Sequence, residues 1–235
     1  MKFGVIIFPG TSGDFDAYHA VRNVLRQPAD KLWHTESNLS GYDCVILPGG
    51  SSYGDYLRPG AVARFSPIMV AVDKFAAAGK LVLGIGNGFQ ILLEAGLLPG
   101  AMRRNGSLQF RNDFINLKAE NNRLPFTSQY REAQVLKMDI AHGEGNYYVD
   151  AVTLAEMRKN KQIVFRYCTP EGDITPAANS DGALANIAGI CNRQGNVLGL
   201  MPHPERSVER IIGSEDGRLL FESILRHRKE RDNNG

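Results

Sequence analysis

Several features that would settle the class of a protein at once are missing from this sequence. Its three cysteines, Cys44, Cys168 and Cys191, are an odd set without pairwise metal-ligand spacing, so neither a disulfide framework nor a cysteine metal site is indicated. No sign of charge prevails. The 27 Lys and Arg residues against 25 Asp and Glu leave a formal net charge of +2, too little to create a long-range field for nucleic acid or anionic lipid. No apolar run reaches membrane-spanning length, and the N-terminal run Phe3 to Phe8 is too short for a signal or a span. Internal repeats, low-complexity tracts and interdomain linkers are also missing. The 43% hydrophobic and 22% charged composition is that of an ordinary globular chain, and 235 residues fit a single compact domain over 1–235 with a large core. Free thiols in such a chain suit a reducing cytoplasm.

What is present alternates. Lys2 to Phe8 is a β-branched apolar run ended by Pro9-Gly10, and from Asp14 to Leu25 the apolar positions Phe15, Tyr18, Val21, Val24 and Leu25 recur at helical spacing. Tyr42 to Leu47 reads as a strand ended by Pro48-Gly49-Gly50, Pro67 to Ala78 as a helix, and Leu81 to Ile85 as a strand running directly into a helix from Asn87 to Ala95. Strands apolar on both faces and separated by helices imply a parallel sheet covered on both sides, whose sites form at the carboxyl ends of the strands. The second half is less regular. Gln134 to Ile140 and Ile163 to Cys168 read as strands around a helix from Val152 to Lys159, and Ile187 to Cys191 and Val197 to Met201 flank the hairpin turn Asn192 to Asn196. Part of the sheet is therefore antiparallel. A last helix is expected from Gly217 to Arg228, and the polar stretch from Arg226 to Gly235 reads as a solvated end.

Four loops that follow strands could carry chemistry. In Gly84-Ile85-Gly86-Asn87-Gly88-Phe89-Gln90 a strand turns sharply into a helix, which is where an α/β enzyme presents a nucleophile between flanking glycines. The middle residue here is Gly86. That leaves an emptied nucleophile elbow, a phosphate-cradling turn or a glycine turn serving tight packing, although the dinucleotide fingerprint would need glycine where Phe89 stands. In Met201-Pro202-His203-Pro204-Glu205-Arg206 two prolines stiffen a histidine two residues from a carboxylate, an arrangement suited to proton transfer but also common as a surface pair. The paired glycines Gly49 and Gly50 could turn backbone N–H groups toward a ligand oxygen, or be a flexible turn. The fourth loop, around His142-Gly143-Glu144-Gly145, could line a pocket or hold a satisfied histidine.

Taken in order, LPGGSSYGDYLR, GIGNGFQIL, AHGEGNYY and MPHPER resemble the class I glutamine amidotransferases, and within them the glutaminase subunit of phosphoribosylformylglycinamidine synthase. The resemblance runs from KFGVIIFPG through IAGICNRQGNVLGLMPHPER. It implies a single glutamine amidotransferase type 1 domain of flavodoxin-like, three-layer α/β fold, with a mostly parallel central sheet and helices on both faces. Such a domain hydrolyses glutamine and supplies ammonia to a separate ATP-dependent synthetase in purine biosynthesis, in a complex that can include a small accessory subunit. Carried over by position, His203 is the base, Glu205 the carboxylate that orients it, Gly49 and Gly50 with Asn87 the oxyanion region, and Gln90 and His142 residues that help hold glutamine. No metal or cofactor is implied for the glutaminase itself; ATP and magnesium belong with the synthetase, and neither nucleic acid nor a membrane is a partner. The family pattern G-I-C-N-G-F-Q meets G-I-G-N-G-F-Q here. Gly86 thus stands where the resembled enzymes carry their nucleophile, which closes the thioester route and leaves either an amidotransferase whose hydrolytic step is disabled or a silent glutamine-binding or scaffolding subunit. Cys191, in a local imitation of the missing motif, is expected to be a packed core thiol. A hydrolase of the related DJ-1-like fold would also need an elbow nucleophile and does not account for MPHPER.

Overall fold

A computed structural model describes residues 1–233. In chain order, β1 (Phe3–Ile7) leads into α1 (Asp14–His19), whose last turns widen into a π-helix at Ala20–Val24, and β2 (Ala29–Trp33) follows. Then come β3 (Cys44–Leu47), α2 (Pro67–Ala77), β4 (Leu81–Ile85), α3 (Asn87–Glu94), β5 (Ala101–Arg103), β6 (Arg111–Ala119), β7 (Val135–His142) and β8 (Asn146–Tyr148). The chain continues through α4 (Ala151–Lys159), β9 (Ile163–Cys168), β10 (Ile187–Cys191), β11 (Val197–Leu200) and α5 (Arg218–Asn233). Nine strands form one sheet in the order β2-β1-β3-β4-β11-β10-β9-β6-β7, while β5 and β8 pair separately.

The strand sequences explain the layering. β3 and β4, CVIL and LVLGI, are buried at every position, as strands covered on both faces must be. From β2 to β11 the pairings are parallel, and from β11 to β7 antiparallel. Following these directions across the sheet, β1, β3, β4, β11, β9 and β7 all end at the same edge, whereas β6 starts there. Right-handed crossovers place the helix from β1 to β2 and the helix from β3 to β4 on opposite faces, because the two connections step in opposite directions along the sheet. The loops after β1 and β3 nevertheless stay together, Thr11 bridging Gly50, and the crevice at that edge opens among the loops that follow β3, β4, β7 and β11. Phe3, Val5, Ile46, Leu83, Phe165 and Phe221 belong to the one large apolar core. Helix α3 lies unusually close to the sheet. A Cβ on Gly88 would fall 1.8 Å from the Leu47 carbonyl oxygen, so no residue but glycine allows this approach.

The expected hairpin is present: β10 and β11 pair antiparallel, and the Asn192 Oδ1 accepts from the backbone N–H groups of Asn196 and Val197 at 3.1 Å each. Several expectations need correction. Strands β2, β5, β6 and β8 were not expected from the sequence; β6 (RNDFINLKA) is mostly exposed over its first half, so its apolar alternation begins only at Ile115. Phe15 does not face the core but is 73% exposed, lying against the Lys31 ammonium 3.2 Å from its ring centroid. Buried Ala17, Ala20 and Val21 form the packing face instead. The last helix does not stop at Arg228 but runs through Asn233, with i,i+4 support from Arg226 to Glu230 at 2.7 Å, while Arg226, Lys229, Glu230 and Asn233 are exposed as a solvated end requires; Asn234 and Gly235 lie outside the described residues.

Candidate active site

The shared sheet edge brings the four loops together. A cavity of about 270 Å³ is lined by residues that include Gly50, Gly86, Asn87, Gln90, His142 and His203. No larger rearrangement is needed to bring these sequence-distant segments within reach, because each follows a strand ending at that edge.

The turn from β4 into α3 sets Gly86 at φ +53°, ψ −112°, a conformation that L side chains rarely adopt. Its N–H donates to the Leu200 carbonyl at 2.8 Å, and its carbonyl accepts from Phe89 and Gln90 N–H at 3.0 and 3.2 Å. The turn is thereby locked. A Cβ built on Gly86 would lie 3.2 Å from Cε1 and 3.4 Å from Nε2 of His203, so the Cα–H side of this turn faces the imidazole.

His203 and Glu205 are both buried, and Nδ1 of the ring lies 2.7 Å from Glu205 Oε1. The His203 backbone N–H donates to the Asp139 carbonyl at 2.8 Å, which ties the loop to β7. Nε2 has no partner in the protein. A carboxylate on Nδ1 selects the tautomer with its proton there and leaves Nε2 free to accept one. Gly49 makes room for the ring, since a Cβ on it would fall 2.8 Å from His203 Cε1.

Backbone donors approach from two sides. Thr11 and Gly50 form a bridge whose hydrogen bonds come from Ser12 N–H to the Gly49 carbonyl, 3.2 Å, and Ser51 N–H to the Gly10 carbonyl, 3.0 Å, so the bridge does not use the N–H of Gly50. Asn87 is the first residue of α3, where N–H groups have no intrahelical acceptor. Its side chain has another task. Oδ1 accepts from Ser52 N–H at 3.1 Å, and Nδ2 donates to Asp55 Oδ1 at 3.3 Å and to Gln90 Oε1 at 2.9 Å. Gln90 Nε2 then donates to the Glu144 carbonyl at 2.7 Å. One chain of hydrogen bonds thus joins the loop after β3, the start of α3 and the loop after β7.

Asp55 and Glu144 also line the cavity. Burial raises the Asp55 carboxyl above its ordinary value, against the opposing pull of hydrogen bonds from Ser51 and Asn87. Burial raises Glu144 as well, with Arg104 pulling it down and Asp55 pushing it up. Two partly buried carboxylates make this wall a place for a cation.

A family profile described as the CobB/CobQ-like glutamine amidotransferase domain matches residues 1–219. The PurQ component of phosphoribosylformylglycinamidine synthase from Moorella thermoacetica is 64% identical over 225 residues, covering 96% of this chain and 95% of the relative. The chain belongs to the PurQ family of glutamine amidotransferases. The PurQ protein of Gloeobacter violaceus is 56% identical over 96% of this chain and 97% of its own. A chain in the structure of PurLQS from Thermotoga maritima superposes with a TM-score of 0.84 at 42% identity, covering 96% of this chain and 98% of that one. A glutamine amidotransferase from Thermotoga maritima, at 17% identity and a TM-score of 0.56 over 97% of this chain and 92% of that one, shares the fold.

Gly50, Gly86, Asn87, Gln90, His142 and His203 line the cavity, and Gly49 and Glu205 stand behind it against the His203 ring, with two refinements. Gln90 faces the cavity but both ends of its amide bond protein groups, and the segment after His142 includes the short strand β8. Asp55, Glu144 and Phe110 were not singled out, although the first two stand within the quoted loops and share the Gly-rich turns that expose them. All three cysteines are buried and free. Burial pushes the Cys191 thiol up to about 12 and the Cys168 thiol up to about 11, with Cys44 higher still. Among the described residues no helix is long and apolar enough to cross a membrane, and no group of three His, Cys, Asp or Glu residues could hold a metal ion.

Proposed function

We propose that this chain is the glutamine-binding component of a cytoplasmic phosphoribosylformylglycinamidine synthase, with its hydrolytic step disabled at Gly86. The observation that carries the reading is the meeting of Gly86 and His203: the Cβ direction of the first leads toward the partnerless Nε2 of the second. In the resembled enzymes a thiol at that position attacks the carboxamide carbon of glutamine while the imidazole takes its proton. His203 is the base in this reading, Glu205 holds its tautomer, and N–H groups of Gly50 and Asn87 meet the carbonyl oxygen. Asp55 and Glu144 supply acceptors for the α-ammonium of the substrate. Glycine offers no atom that could form the thioester.

The relative in PurLQS supports a partnership with a separate synthetase and a small accessory protein. ATP and magnesium belong to the synthetase, which consumes ammonia. The test is glutamine hydrolysis by the chain, alone and with the synthetase, beside Gly86→Cys. Binding without turnover, and turnover on restoring the thiol, supports the reading; ammonia release by the unmutated chain refutes it. A Gly86→Cys chain that binds glutamine but stays inert points to the alternative, a silent scaffolding subunit.

A further inference from the structure

Beside the His203–Glu205 pair the cavity wall holds a second buried imidazole and carboxylate. His142 closes β7 and Asp181 stands on the coil between β9 and β10, yet Nε2 of the first lies 2.9 Å from Oδ1 of the second, with side chains 5% and 0% exposed. Two hydroxyls hold Asp181 from other directions. Tyr167 donates to its Oδ2, and Ser180 donates to Oδ1 at 2.8 Å. Its backbone carbonyl accepts from Gly106 N–H at 2.8 Å. A carboxylate withdrawn this far from water persists only when donors surround it, and the imidazole completes the set.

The loop itself does not need that ring. Asn105 fixes the 142–145 backbone by its N–H to the Gly143 carbonyl, by Nδ2 to the His142 carbonyl, both 2.9 Å, and by Oδ1 from Gly145 N–H at 2.8 Å. The ring is packed tightly as well, because a Cβ on Gly145 would fall 2.3 Å from its Nε2. Neither ring nitrogen makes an aligned hydrogen bond in the protein, although both are buried and the residue lines the cavity. Nε2 at least meets a carboxylate. Nδ1 meets nothing, and a buried polar atom left unpaired is destabilising.

We propose, resting on the reading that this cavity receives glutamine, that Asp181 is a positioning residue: it anchors the His142 ring through Nε2 and so reserves Nδ1 for the bound amino acid. Asp181 touches no substrate. Its effect passes through the ring, which makes the consequence measurable as a coupling between the two residues.

Glutamine affinity can be measured by calorimetric titration of the unmutated chain, since that chain should not consume the ligand. Asp181→Ala and His142→Ala should each weaken binding by roughly 10-fold or more, the equivalent of one lost buried hydrogen bond. The double variant should bind no more weakly than His142→Ala alone, because the carboxylate then has nothing to position. Asp181→Asn, which keeps an acceptor beside Nε2, should stay within about threefold of the unmutated chain. If Asp181→Ala fails to fold, the His142 nitrogen resonances of the unmutated chain decide: saturating glutamine should shift Nδ1. Parent-like affinity in folded Asp181→Ala, additive losses in the double variant, or an unmoved Nδ1 resonance overturns the proposal while leaving the assignment of the cavity intact. A chain that binds no glutamine at all removes both.

Discussion

Gly86 and His203 stand so that a side chain on the first would begin 3.4 Å from Nε2 of the second. An added thiol therefore needs only a small adjustment of the ring to reach hydrogen-bonding distance, and the helix N-terminus behind it lowers the cost of its charge. Gly86→Cys should hydrolyse glutamine. Adding His203→Ala to that variant should remove roughly 100- to 10,000-fold of the rate, the usual share of a general base, as read by ammonia release under saturating glutamine. A His203→Ala chain retaining the restored rate would show that the imidazole is not the base.

The same turn sets a cost in stability. At φ +53° and ψ −112° an L residue is strained by about 1–3 kcal/mol, and its Cβ would sit tightly against His203 Cε1 at 3.2 Å. Both Gly86→Ala and Gly86→Cys should lower the unfolding free energy by that amount in urea titrations. Equal or higher stability in Gly86→Ala would mean that the turn relaxes to an ordinary conformation in solution, and the site geometry would need revision.

How far the sequence foretold these relations depends on where each signal resides. The parallel half was legible because β3 and β4 are continuous apolar runs ended by glycine or proline, and two of the candidate-site loops follow those strands directly. Strand β6 was not legible, since RNDFINLKA carries charges over the half that meets solvent. Short β5 and β8 owe their form to pairing with each other rather than to their own residues. Asp181 shows the deepest limit: nothing in Ser180-Asp181-Gly182 distinguishes a surface turn from a buried carboxylate facing the distant His142, as only the antiparallel order of β9, β6 and β7 brings them together.

The native thiols should be inert. Burial pushes Cys191 and Cys168 up to about 12 and about 11, so almost none of either is thiolate at neutral pH. Iodoacetamide near neutral pH should leave the folded chain unmodified, whereas Gly86→Cys should take up one equivalent, slowed by glutamine. Cys191→Ala should not alter the restored activity. Labelling of Cys191 in the folded chain would contradict its burial.

With the synthetase present, ammonium salts should support product formation and glutamine should not, because on the reading proposed above external ammonia bypasses a hydrolytic step that Gly86 cannot carry. Gly86→Cys should make glutamine an effective nitrogen source in the same mixture. Failure with ammonium as well would place the defect in assembly with the synthetase rather than at Gly86.

Acid stability should carry the mark of Asp181. Burial alone would raise this carboxyl, but His142, Tyr167 and Ser180 together hold it below the ordinary 3.8. A carboxyl depressed in the folded state contributes stability that is fully present above the unfolded value and disappears as pH falls through the folded one. Asp181→Asn keeps the size of the side chain and removes the charge. The difference in unfolding free energy between the unmutated chain and Asp181→Asn should therefore be largest at about pH 5 and shrink steadily toward about pH 2. Urea titrations across that range give the comparison directly. A difference that stays flat, or grows as the solution is acidified, would mean that the carboxyl is not held ionised by its neighbours, and the buried pair with His142 would have to be neutral.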